Sequence, residues 1–76
     1  MMSTPLNRKS ILELYGHACE RLVRESERLL ITSISRSKAF ELEKVKQFPA
    51  RKKLGNSSCA WLLSDLLLWC HGLWQE

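Results

Sequence analysis

Counted on a helical wheel from Ile11, the residues Ile11, Leu14, Tyr15, Ala18, Cys19, Leu22 and Leu29 fall on one side, and Leu12, Val23 and Leu30 widen the same stripe. Glu13, His17, Glu20, Arg24, Glu27 and Arg28 occupy the other side. This spacing predicts one long amphipathic helix over residues 10–33. Ser10-Ile11-Leu12-Glu13 has the form of a capping box at its start. Glu20–Arg24 and Arg21–Glu25 are opposite charges four apart, worth a few tenths of a kcal/mol per pair on a helix.

The stripe degrades after Leu30. Ile31 and Ile34 rotate off it, and Ser33, Ser35 and Ser37 make a polar stretch, so a break is expected near 32–37. Residues 37–48 are composed for a short helix or bent segment. Phe40-Glu41-Leu42-Glu43 also alternates like a strand, which residues 30–35 could meet in a hairpin. Phe48-Pro49 stops the segment. Residues 49–56 then read as a basic loop, with Asn56, Ser57 or Ser58 to cap a final, tryptophan-rich helix over 57–74.

On that last helix Cys59, Leu62, Leu63, Leu66, Leu67, Trp69, Cys70, Leu73 and Trp74 form one broad apolar arc. Trp61 and Leu68 fall on the opposite side with Ser64, Asp65, His71 and Gly72, where a surface helix does not place them. They imply a second buried surface, and Trp61, Leu68, Trp69 and Trp74 are the expected partner or dimer contacts. The expected fold is all-α: a single helical domain over 1–76, with a flexible arm at 1–9 and a two- to three-helix bundle completed by homodimerisation. Helix one and the last helix pack antiparallel, with Leu22, Leu29, Leu63 and Leu67 in the core. An α–β-hairpin–α arrangement is the alternative. Length supports the dimer, because a chain of 76 residues buries only about 60% of its unfolded surface.

Charge changes the picture more than composition does. Apolar residues at 45% and charged residues at 26% describe an ordinary globular chain. Within the net +4, residues 36–53 hold seven bases (Arg36, Lys38, Lys44, Lys46, Arg51, Lys52 and Lys53) and two acids, while residues 54–76 hold no base. Such a segment attracts phosphates or an acidic protein face. Readout of a duplex would need a helix in the major groove. Residues 37–48 could supply it, but Glu41 and Glu43 would meet phosphates badly and no helix-turn-helix spacing stands out. RNA stacking would have only Phe40 and Phe48 beside the bases.

Catalytic and metal chemistry find no footing. Cys70 and His71 are neighbours whose side chains diverge on a helix, Gly16, Gly55 and Gly72 are scattered, and no pair of carboxylates is singled out. On a helix His17 and Cys19 point about 160° apart, and Cys59 and Cys70 lie roughly 16 Å apart. The expectation is therefore a non-enzymatic protein without metal, cofactor or small-molecule substrate. Ser64, Asp65 and His71 interrupt the most apolar stretch, which argues against a membrane partner. The odd cysteine count (Cys19, Cys59, Cys70) and the absence of a signal-like start suit buried thiols in a reducing cytoplasm.

The reading that follows is a small regulator acting by protein–protein binding, as an inhibitor or modulator of a larger factor, with the basic segment steering an acidic partner. Size and compactness alone suggest a transcription-related target on a mobile genetic element; no residue identifies it. The alternative is a nucleic-acid-binding module that uses residues 36–53.

Overall fold

The structure, a computed structural model, describes residues 6–75. Helix α1 (Arg8–Leu14) is followed by strand β1 (Leu22–Val23), helices α2 (Glu25–Thr32) and α3 (Arg36–Lys44), strands β2 (Lys52–Lys53) and β3 (Cys59–Leu62), and helix α4 (Leu63–Cys70). The strands form one antiparallel sheet in the order β1-β3-β2, with Val23 opposite Trp61 and Lys53 opposite Cys59. The all-α expectation is thus corrected to a mixed fold, with four helices and a three-stranded sheet among the described residues. The α–β-hairpin–α alternative is nearer, although its hairpin lies at 52–62 and not at 30–43.

The helix expected over 10–33 is three elements. Asn7 starts α1, accepting from the Ser10 amide at 2.8 Å while Ser10 Oγ accepts from the Asn7 amide at 2.7 Å. Ser10 therefore closes a capping box from its third position and does not open one with Glu13. Gly16, at φ 79°, ends the helix. Its amide donates to the Glu13 carbonyl and the His17 amide to that of Leu12, at 3.0 and 2.8 Å, the paired bonds of a Schellman motif. The apolar stripe ran on past this stop because buried Val23 belongs to a strand that happens to fall in phase. Leu22 and Leu29, expected in the core, are 44% and 45% exposed. The helical pairs Glu20–Arg24 and Arg21–Glu25 give way to Arg21–Glu27 and Arg28–Glu25.

The helix expected over 57–74 is also divided. Cys59–Leu62 is the central strand, and the helix occupies only 63–70. Glu20 caps α4, its carboxylate accepting from the Ser64 amide at 2.9 Å and from the Ser64 hydroxyl. Arg8 donates to Ser64 Oγ at 2.8 Å and stands 2.5 Å from Asp65, docking α1 on α4. The core is built from Ile11, Leu12, Val23, Phe48, Trp61 and the α4 leucines, with Ala39 as the contribution of α3. Cys19 and Cys70 are exposed and Cys59 half-buried, so the thiols are not the fully buried hydrophobes expected. Of the arm expected at 1–9, residues 1–5 lie outside the described residues, and Arg8 and Lys9 already belong to α1. Among the described residues no helix is long and apolar enough to cross a membrane.

Candidate nucleic-acid interface

Three residues, Ser33 to Ser35, separate α2 from α3. Ser33 takes the left-handed conformation at φ 60° and turns the chain, and Ser35 caps α3 by accepting from the Lys38 amide at 3.1 Å. The turn is held from inside by Arg28, whose side chain is 0% exposed. Its Nε and Nη2 donate to the two Glu25 carboxylate oxygens at 2.9 and 2.6 Å, and its Nη1 donates to Thr32 Oγ1 and the Ile34 carbonyl, both at 3.0 Å. The guanidinium also lies 5.7 Å from the centre of the Trp61 ring. Those hydrogen bonds hold the Glu25 carboxyl below its ordinary range, against burial and with help from the charges of Arg28 and Arg36. The wheel placed Arg28 on the polar face; the structure makes it, with Glu25, the brace of the α2–α3 turn.

A second set of contacts directs the chain from α3 to the hairpin. Lys46, at φ 62°, closes α3 with the same paired bonds seen at Gly16: its amide reaches the Glu43 carbonyl and the Gln47 amide that of Leu42. Trp69 Nε1 donates to the Gln47 carbonyl at 2.8 Å and Trp61 Nε1 to that of Pro49 at 3.1 Å. Phe48 packs edge-on to Trp69 with ring centres 4.9 Å apart. Beyond this anchor β2 and β3 form a hairpin, closed at its tip by the Leu54 amide bonding to the Ser58 carbonyl. Arg24 Nη2, at the start of α2, donates to Ser58 Oγ at 3.3 Å. Arg51 Nη1 lies 3.2 Å from Glu43 Oε1, and its guanidinium sits 4.2 Å from the centre of the Phe40 ring. This pair fixes the hairpin against α3.

The α3 face and the hairpin enclose an open cleft of about 320 Å³, lined by Arg36, Phe40, Arg51, Lys53 and the hairpin tip. Of the seven bases singled out, Arg36, Lys38, Lys44, Lys46, Lys52 and Lys53 are exposed on α3, its C-terminal turn and the hairpin. Arg51 differs, being half-buried and ion-paired. The same pair removes one obstacle found in the sequence, because the Glu43 charge is neutralised. The expected apolar contact residues are placed elsewhere. Trp61 and Leu68 are 2% and 8% exposed in the chain's own core, while Trp69 and Trp74 are half-buried. The place of Trp61 on a polar helix face was a consequence of reading a strand, Cys59–Leu62, as helix, whereas Leu68 lies on α4 and is covered by the chain's own core. In the sequence Ser33, Ser35 and Ser37 marked only a polar break and Glu41 only an obstacle to phosphates, so none of them was read as part of a site.

Two helices joined by a three-residue turn, the second presenting a basic face beside a β-hairpin, are the elements from which a helix–turn–helix with a hairpin wing is assembled. Comparison with known proteins agrees with a regulatory role. Residues 21–72, from the start of β1 to just past α4, match the model of the family described as the prophage CP4-57 regulatory protein, AlpA. The chain belongs to this AlpA family of prophage regulatory proteins. It is also 36% identical over 53 residues to the uncharacterized protein ORF88 of Enterobacteria phage P4, a match that covers 70% of this chain and 60% of that relative's length. No solved structure matches the chain.

Proposed function

We propose that this regulator is a non-enzymatic, duplex-DNA-binding protein that controls transcription by occupying a site, with α3 in the major groove and the β2–β3 hairpin against the neighbouring backbone. The observation that carries the reading is the capped α3 helix, braced at its turn by Arg28, beside six exposed bases. Lys38, Lys44, Lys46, Lys52 and Lys53 supply the sequence-independent attraction to phosphates. Arg36 is the first residue of α3, where recognition helices approach base edges, and its guanidinium lies 5.4 Å from the centre of the Phe40 ring. That stacking holds a planar donor fork ready for a guanine edge. The protein-partner reading loses its main support, since Trp61 and Leu68 are already used in the core.

The test is binding of the purified chain to labelled random-sequence duplex across a salt series. Retention at low salt that weakens linearly in log–log form as salt rises is expected. A folded protein that retains no duplex at low salt overturns the proposal.

A further inference from the structure

Glu41 is an acid in the middle of a basic surface. It is exposed, and among the described residues it has no hydrogen bond or ion pair. The other acids beside α3 are neutralised, Glu43 by Arg51 and Glu25 by Arg28. Ser37, Glu41 and Lys44 recur at spacings of four and three, so they share the outward stripe of α3. The opposite side carries buried Ala39 and half-buried Leu42 and Glu43. Lys38 flanks the stripe, and Arg36 stands at the N-terminal end of the helix. When a helix lies in the major groove, its flanks meet the two phosphate walls and its central stripe meets the base edges. A carboxylate at the centre is thus held away from the phosphates by its own neighbours.

Which base such a carboxylate can accept from is settled by the groove's chemistry. Guanine presents two acceptors, thymine an acceptor and a methyl group, and adenine a donor beside an acceptor. Cytosine alone offers an amino donor with no acceptor of its own in the major groove. We infer that Glu41 is a specificity-determining residue that reads cytosine in the major groove. The inference rests on the DNA-binding reading and adds to it the identity of one recognised base.

The test compares wild type with Glu41→Gln in selection from a randomised duplex library. Affinities are then measured on the selected duplex, on the same duplex with its cytosine pair replaced, and on random duplex. The exposed site lets the variant keep its fold, which circular dichroism checks. Wild type should select a cytosine and lose about ten- to hundredfold in affinity when it is replaced. In Glu41→Gln that preference should vanish or move to adenine, the base that glutamine pairs with, while random duplex binds more tightly. If the variant selects the same cytosine and tightens equally on all duplexes, Glu41 is only a repelling charge and the inference falls while the DNA-binding reading stands. If wild type retains no duplex, both fall together.

Discussion

Ser33 holds a left-handed conformation at φ 60° in the turn between α2 and α3, without the glycine that such a position favours. Ser33→Gly is expected to stabilise the protein by about 0.5–1 kcal/mol, partly offset by the freer unfolded chain, as a higher urea midpoint will show. Gly16 is the converse. A β-carbon there would meet nothing within 4 Å, so a cost of about 1 kcal/mol for Gly16→Ala would come from its φ of 79° alone. At Arg28 the stakes are larger. Arg28→Met keeps the volume but strips Glu25 of its partner and the Ile34 carbonyl of its donor, an expected loss of about 2–4 kcal/mol. The same pair sets a pH dependence. Because the Glu25 carboxyl is depressed in the folded state, its contribution is fully present above the ordinary glutamate value of about 4.3 and is lost as pH falls through the lower, folded value. Glu27, depressed chiefly by its hydrogen bonds to Arg21, acts in the same direction. Wild type should therefore lose stability below about pH 4, and Arg28→Met should show a flatter acid limb in unfolding followed by fluorescence.

At the scale of elements, the boundaries depend on groups distant in sequence. Helix α4 begins where it does because Glu20, from the loop after α1, accepts from the Ser64 amide and hydroxyl. Removing that carboxylate in Glu20→Ala leaves a buried hydroxyl without its acceptor, and a loss of about 1–2 kcal/mol in chemical denaturation is expected. Helix α3 was legible as a short helix at 37–48 because Glu and Lys compose it; the structure sets it at Arg36–Lys44, closed by Lys46 ahead of the stop expected at Pro49. The strands were not legible. Segments of two to four residues cannot display a period of two, and Cys59–Leu62 contains no β-branched residue to mark it. Gly16 was the one local signal that the first helix ends early.

Across the whole molecule, the proposed interface is assembled from α3, its C-terminal turn and the hairpin, joined through Arg51, Glu43 and Phe40. This division of labour can be separated by salt titration of DNA binding. Lys52→Gln with Lys53→Gln should flatten the log affinity–log salt slope by about 1.8, at about 0.9 per lost phosphate contact. Arg51→Gln with Glu43→Gln removes charges that already neutralise each other, so the slope should stay near wild type. Equal flattening by both double variants would show that Arg51 reaches phosphate and that its pairing with Glu43 is not kept on DNA.

By itself the chain's sequence determined the basic stretch from Arg36 to Lys53, the polar break before it and the helix within it, because charge and local composition need no distant partner. Only the tertiary structure decided that Arg28 is buried, that Trp61 and Leu68 face the core and that Cys59–Leu62 is a strand. Each of those outcomes depends on partners from elsewhere in the chain: the Ile34 carbonyl for Arg28, Val23 and the Pro49 carbonyl for Trp61, and β1 and β2 for the strand. Burial and strand pairing are properties of neighbours brought together by folding, and helical periodicity is blind to them.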